Sequence, residues 1–166
     1  MGTNQRSQIV MSDDEVSTFI DQHRTVTMAT HGTRAAHLVA MWYAVIDGEL
    51  WIETKEKSQK VVNLKRDPRV TMLIEDGDTY DALRGVSIEG TAEIHRDPAT
   101  CLAVGISIWE RYNGPYTDDL KPAVDAMMNK RVAVRVVADR VRSWDHRKLG
   151  LPEIPLAGST AEFLRP

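Results

Sequence analysis

A cluster of lysines and hydroxyl groups within residues 53–70, ETKEKSQKVVNLKRDPRV, could bind an anion. Lys57, Ser58 and Lys60 lie at the start of a short helical pattern. A helix N-terminus presents free backbone N–H groups and the positive end of its dipole, and both attract anions. Ser58 can donate its hydroxyl to a phosphate oxygen, and Thr54 adds a second hydroxyl at the end of the preceding strand. The spacing predicts a corner that holds one phosphate, and the alternative is a solvated lysine face.

Other motifs that would define a chemistry are absent from the sequence. There is no GxxxxGK loop and no GxGxxG turn, so neither nucleotide-binding loop is predicted. The five histidines share no metal-ligand spacing, and no HExxH or CxxC occurs, so we predict no metal site; they are His23, His31, His37, His95 and His146. The single cysteine, Cys101, lies in an apolar helical run and is expected to be a buried, inert thiol.

The charge balance limits the class of ligand. Lys and Arg number 21 against 24 Asp and Glu, which gives a net charge of −3 and a pI near 5.9. A general nucleic-acid-binding protein normally carries a basic surplus, so we expect no nucleic-acid partner. A local basic cluster on an acidic chain favours a small anionic ligand. The sequence shows no signal-peptide pattern and no apolar run long enough to span a membrane, so we expect a cytoplasmic protein without membrane contact.

Hydrophobic alternation and turn signals predict the elements that must position this corner. The predicted strands are RTVTMAT, HLVAMWYAVI, ELWIET, RVTMLIE, RGVSIEGTAEIHR and KRVAVRVVADRVRSWD. The pair Asp47–Gly48 between the second and third strands is a strong hairpin signal. Strands that follow one another through short connections predict a mainly β fold, a six-stranded antiparallel barrel with helical decoration. We predict one domain over residues 1–166, with a core at 11–148 and an irregular tail at 149–166.

Helix signals separate some of these strands. Ser12 and Glu15 form a capping-box pattern before the first strand. Asp97 followed by Pro98 predicts the start of a helix after the fifth strand. The segment KSQKVVNLKRD, just before Pro68, predicts the short helix of the anion corner.

The segment LWIETKEKSQKVVNLKRDPRVTMLIED, preceded by AAHLVAMWYAVIDG, resembles the split-barrel flavoproteins of the pyridoxamine-phosphate-oxidase-like class. Within that class it is similar to the B group of the actinobacterial flavin/deazaflavin oxidoreductases, many of which use the deazaflavin coenzyme F420. The likeness runs from the first helix to the last strand. It implies a homodimer with the cofactor at the subunit interface and a small-molecule substrate.

The resemblance also implies which residues bind the cofactor. Family members hold the cofactor phosphate at the strand end and the helix start, and they lay its ring along the preceding strand, in part through backbone groups. The residues carried over for the phosphate are Thr54, Lys57, Ser58, Gln59, Lys60 and Asn63, and those for the ring are His37, Val39, Met41 and Trp42. Trp144 and Arg147, in the segment SWDHRK, are expected to reach the cofactor or substrate of the neighbouring subunit, with a solvated turn as the alternative.

Gln59 departs from the flavin-phosphate pattern, which often has Ser-Arg-Lys where this chain has Ser58-Gln59-Lys60. An arginine would supply a bidentate phosphate donor. Flavin mononucleotide (FMN) ends in a nearly doubly charged monoester, whereas F420 carries a singly charged phosphodiester. One lysine with neutral donors suits the diester better, although Lys55 and Lys57 could supply the missing charge. F420 is therefore the predicted cofactor, with FMN as the alternative.

The predicted activity is hydride transfer between F420 and a small organic substrate, with the chemistry supplied by the cofactor. The pattern singles out no catalytic residue, and four side chains are candidate proton donors: Tyr43, His37, Tyr112 and Tyr116. Two non-catalytic alternatives stay open, a coenzyme carrier and a barrel that serves only as an interaction module.

Overall fold

The computed structural model of the protein describes residues 5–154. Its strands form one antiparallel sheet, in the order β2-β1-β5-β6-β7-β4-β3. The strand bounds are β1 Val26–His31, β2 Ala36–Met41, β3 Ala44–Ile46, β4 Glu49–Lys55, β5 Arg69–Asp76, β6 Arg84–His95 and β7 Arg131–Asp145. The prediction of a mainly β, antiparallel fold is confirmed, and the sheet curls into a split barrel.

The prediction of six strands is wrong, because the described sheet has seven. The run HLVAMWYAVI is divided at Trp42 and Tyr43 into β2 and β3, which lie at opposite edges of the sheet. The backbone N–H of Tyr43 donates to the hydroxyl of Tyr112 at 2.9 Å, instead of continuing a strand ladder. The chain thus crosses the open seam of the barrel in two residues.

The helices lie at the seam and on the outer face. Their bounds are α1 Gln5–Gln8, α2 Asp13–Gln22, α3 Gln59–Arg66, α4 Pro98–Tyr112 and α5 Lys121–Met128, with short 3-10 helices at Asp118–Leu120 and His146–Leu149. Both predicted caps are confirmed, since Ser12 and Glu15 form a capping box and the side chain of Asp97 accepts from the N–H of Thr100. The sequence reading missed α1.

Turn chemistry fixes the register at two places. Asp47 and Gly48 both have positive φ, 52° and 79°, as the two-residue turn between β3 and β4 requires, so the predicted hairpin is confirmed. A β-bulge occurs where Glu89 pairs with Arg140 and Gly90 pairs with Ala138, which leaves Asp139 of β7 as the extra residue. A Cβ atom at Gly90 would lie 2.1 Å from the carbonyl oxygen of Val137 on β7, so only glycine fits this close approach of the two strands.

The two faces of the sheet have different environments. Inward side chains such as Met28, Ile52 and Met72 form the barrel core and are fully buried. On the outer face, α4 packs Val104 and Ile108 against Ala44, Trp51 and Ala133. The outer face of β2, β1, β5 and β6 carries no long helix like α4 among the described residues, although Arg6 of α1 lines its groove, and Leu38 there is 63% exposed. One half of the outer surface is therefore open.

Candidate functional site

The predicted anion corner forms where β4 ends and α3 begins. Lys60 donates its ammonium to the hydroxyl of Thr54 at 3.1 Å, and the hydroxyl of Ser58 lies 3.3 Å from the same oxygen. Thr54 is only 4% exposed, whereas Ser58 and Lys60 are half-buried. Two hydroxyls and one ammonium therefore converge on a point that solvent reaches from one side, which is the donor set that a phosphate group prefers.

The N-terminus of α3 lacks the side-chain cap seen on its neighbours. Ser58 is the N-cap residue, with φ −70° and ψ 153°, yet its hydroxyl makes no bond to the first turn of the helix. By contrast, Ser12 caps α2 and Asp97 caps α4. The first N–H groups of α3 are thus free of a capping side chain and available to an anion.

Burial shapes the electrostatics of Lys60. Burial lowers the pKa of its ammonium group, and the nearby charge of Glu53 offsets part of that effect. Glu53 is itself held by Arg131, whose guanidinium donates to it at 2.6 Å. Lys55 and Lys57 are exposed at the rim. Of Lys55, Lys57 and Lys60, only Lys60 is built into the corner, and a bound anion would relieve the cost of its burial.

Asn63 lies behind the corner instead of on its surface. Its side chain is fully buried, donates to the hydroxyl of Thr30 at 3.0 Å and accepts from the side-chain amide of Gln59 at 2.9 Å. Thr30 is 1% exposed on β1 and was missed by the sequence reading. The sequence marks Thr30 only by its position, because it alternates with Val26 and Met28 on the inward side of RTVTMAT.

The predicted ring strand, β2, lies at an edge of the sheet. Its side chains His37, Val39 and Met41 face inward opposite β1, and Val39 and Met41 pack against the core. The Nδ1 atom of His37 is buried and has no hydrogen-bond partner. Because β2 has a strand on one side only, a ring lying along it would meet free backbone groups.

Trp42 is the exposed side chain of this strand end. It is 52% exposed, and its ring stacks on Tyr112 with the centroids 4.2 Å apart and the planes 6° from parallel. The hydroxyl of Tyr112 donates to the carbonyl oxygen of Arg24 at 2.7 Å, which fixes the pair. One face of the indole is therefore covered by a rigid partner, and Trp42 presents its remaining surface to solvent.

The candidate proton donors differ in access. Tyr43 is fully buried, and its hydroxyl donates to the carbonyl oxygen of Ile20 at 2.5 Å. Burial raises the pKa of Tyr43. With its hydroxyl buried and bonded to backbone, Tyr43 is the least accessible of the four candidates. The hydroxyl of Tyr112 is likewise committed to backbone groups, and Tyr116 and His37 are partly exposed.

Trp144 and Arg147, each a candidate for contact with the neighbouring subunit's ligand, lie in different surroundings. Trp144 lies on Gly85 and lines an open groove of about 510 Å³ on the uncovered outer face, with Thr27, Ala29 and Leu38 among the other lining residues. Arg147 lies outside this groove and donates from its guanidinium to Asp145 at 2.6 Å.

Two further properties bear on the class of site. Within residues 5–154, no group of three or more His, Cys, Asp and Glu side chains could hold a metal ion. No helix of the described residues is long and apolar enough to cross a membrane.

Cys101 is half-buried, not fully buried as expected, and its thiol lies 3.7 Å from the carbonyl oxygen of His95.

The described residues form an antiparallel split barrel with a corner of hydroxyl and ammonium groups between β4 and α3. Residues 12–145 match the pyridoxamine 5'-phosphate oxidase family. The match spans most of the sequence, so the chain belongs to this family.

Solved structures agree with the family assignment. A conserved hypothetical protein of Mycobacterium tuberculosis is 65% identical over 95% of this chain and 99% of its own, with a TM-score of 0.91. A protein described as an F420 reductase is 28% identical over 75% of this chain and 94% of its own, with a TM-score of 0.58. An FAD-binding protein of Mesorhizobium loti is 17% identical over 81% of this chain and 93% of its own, with a TM-score of 0.59, and shows the fold alone. No curated protein matches the chain.

Proposed function

We propose that the protein is an F420-dependent oxidoreductase of the B-group, actinobacterial type, which transfers a hydride between coenzyme F420 and a small organic substrate. The observation that carries the proposal is the corner of Thr54, Ser58 and Lys60 at an uncapped helix N-terminus. The similarity to the F420 reductase, at 28% identity over 75% of this chain, supports the choice of cofactor.

The charge of the corner favours F420 over FMN. Among residues 5–154, Lys60 is the one cation bonded to the Thr54 hydroxyl, since Arg131 is paired with Glu53 and Lys57 is exposed at the rim. One ammonium balances the single charge of a phosphodiester, whereas the nearly double charge of a phosphate monoester would call for a second close cation. FMN is the second candidate, because Lys55 and Lys57, both exposed near the corner, could supply the second positive charge.

The chain's residues bind and orient, and the reactive hydride carrier is the bound deazaflavin. Thr54, Ser58 and Lys60 would hold the phosphodiester, and the free edge of β2 would receive the ring through backbone groups. Val39 and Met41 back this strand with apolar packing and keep water from its inner side. Placing the ring on a rigid edge strand lowers the entropic cost of bringing it against a substrate.

We further propose that two copies of the chain form a homodimer and that the cofactor lies between them. The support is the uncovered outer face, where the groove lined by Leu38 and Trp144 adjoins the edge strand β2. Apolar surface of this kind on one half of a sheet is typical of an interface. In this arrangement Trp144 would reach the partner's cofactor or substrate. Arg147 is kept as a weaker candidate for the same role, because Asp145 holds it outside the groove.

The deciding experiment is a fluorescence titration of the purified protein with F420 and, separately, with FMN. We expect tighter binding of F420, followed by oxidation of reduced F420 in the presence of unsaturated small molecules. Tighter binding of FMN would replace the cofactor in the proposal, and binding of reduced F420 without turnover of any acceptor would favour a carrier. Absence of binding to either would reject the proposal in favour of an interaction module.

A further inference from the structure

Two hydrogen bonds connect the anion corner to the interior strand β1, a partly buried one at Gln59 and a buried one at Thr30. Gln59, the first residue of α3, donates to the side-chain oxygen of Asn63 at 2.9 Å, and the amide of Asn63 donates to Thr30 at 3.0 Å. Asn63 is 0% exposed and Thr30 is 1% exposed. These two bonds therefore link the first turn of α3 to the strand that pairs with β2.

Beyond this link and the Lys60 contact, α3 is anchored by apolar packing and by exposed polar contacts, in which Arg66 donates to the carbonyl oxygen of His31 and Lys65 pairs with Glu56. Val61 and Leu64 are the other buried side chains of the helix, at 0% and 3% exposure. Apolar packing sets the depth of a helix but tolerates small rotations and slides, whereas a hydrogen bond requires one direction and one distance. A buried asparagine in mid-helix is unfavourable by propensity and costs free energy unless its amide is bonded. The link to Thr30 thus fixes the rotation of α3 in a way that Val61 and Leu64 do not.

Rotation of α3 matters because the corner is assembled from two elements. Thr54 belongs to β4, while Ser58 and Lys60 move with the first turn of α3. Their contacts of 3.3 Å and 3.1 Å to the Thr54 hydroxyl hold only for one orientation of that turn.

We propose that Asn63 is a positioning residue, which through Thr30 and Gln59 sets the geometry of the anion corner and so determines how strongly the protein prefers a phosphate-bearing ligand over the same ring without phosphate. Asn63 does not touch the anion in this scheme. The inference rests on the proposed function, in that the corner must bind a phosphate group.

The test measures a ratio of affinities in the full-length protein. Each variant is titrated with FMN and riboflavin, and with F420 and its chromophore lacking the phosphodiester arm. The phosphate preference is the ratio of dissociation constants within a pair. Asn63→Leu and Thr30→Val both delete the link and keep the number and branching of the side-chain heavy atoms. For both variants we expect the preference to fall about tenfold while the affinity for the phosphate-free ring stays within about twofold.

Two controls separate positioning from general loss of stability. Leu64→Val weakens the packing of the same helix but leaves the link intact, so it should lower the melting temperature and keep the wild-type preference. Thr30→Ser keeps the hydroxyl and should also keep the preference. If Asn63→Leu does not fold, the comparison of Thr30→Val with Thr30→Ser makes the same test.

The outcomes distinguish the two proposals. A wild-type protein without phosphate preference overturns the proposed corner, and the positioning role falls with it. If the wild type prefers the phosphate-bearing ligand and both Asn63→Leu and Thr30→Val keep that preference, only the positioning role is overturned. An equal loss in Leu64→Val would show that any loosening of α3 has this effect and would equally overturn the specific role of Asn63.

Discussion

Replacing Lys60 by methionine should separate the stability of the protein from its affinity for a phosphate-bearing cofactor. Methionine keeps most of the half-buried stem of the lysine and removes its charge. In the free protein, the ammonium is stabilised by one hydrogen bond to Thr54 at 3.1 Å, and burial disfavours its charged form and lowers its pKa. Loss of a bond worth about 0.5–1.5 kcal/mol is offset by relief of this desolvation. We therefore expect a melting temperature no lower than that of the wild type.

The effect on binding should have the opposite sign. A hydrogen bond from an ammonium to a charged acceptor contributes about 1.5–3 kcal/mol, which corresponds to a loss of affinity of roughly 10- to 150-fold on removal. The measurements are a fluorescence titration with F420 or FMN and a thermal melt without ligand. Lys65→Met is the matched control, because Lys65 lies on the same helix and is 49% exposed, and it should change the affinity less than twofold. An unchanged affinity in Lys60→Met, or a loss that matches the control, would refute the assignment of Lys60 to the phosphate.

Three other perturbations test the site and the fold. Because the pKa of Lys60 is lowered, its ammonium group loses its charge at a pH below the usual 10.5. The affinity for a phosphate-bearing ligand should fall as pH rises through that range. The affinity for the phosphate-free ring, measured in parallel, should not show this fall. Without ligand, the stability of the protein should change in the opposite direction. The free energy of unfolding should rise slightly over the same pH range, because the folded state loses its buried charge. Gly90→Ala places a Cβ 2.1 Å from the carbonyl oxygen of Val137 and should lower the free energy of unfolding by about 2–4 kcal/mol in urea; a loss below 1 kcal/mol would contradict the tight bulge. Tyr43→Phe removes a buried hydroxyl that donates to Ile20 and should cost about 1–3 kcal/mol in the same assay while leaving cofactor affinity unchanged, and an affinity loss larger than the stability loss would argue that Tyr43 acts in the site.

Local signals in the sequence predicted much of the fold correctly. The Asp47–Gly48 turn and the caps at Ser12 and Asp97 each depend on residues close in the chain. Residue type and spacing are therefore enough to predict them. The division of HLVAMWYAVI at Trp42 and Tyr43 was not predictable, since a continuous apolar run gives no sign that its two halves join opposite edges of a sheet.

The candidate site shows the same limit. Sequence reasoning named Thr54, Ser58 and Lys60 from a single short segment, and the structure brings all three together. It could not find Thr30, whose bond to Asn63 spans 33 positions of the chain and depends on how α3 docks against β1. Distant partners of this kind follow from tertiary packing, and no local pattern encodes them.

The two-residue crossing at Trp42 and Tyr43 has a consequence for self-association. Both edges of the described sheet, β2 and β3, come from the one stretch 36–46. An unpaired edge strand is a template for edge-to-edge aggregation, and most open sheets must protect two edges that are far apart in the chain. Here both edges belong to one stretch of the chain, joined at Trp42 and Tyr43. The backbone groups that could template edge-to-edge pairing are therefore gathered in one segment of 11 residues, and a single substitution series along residues 36–46 probes them all.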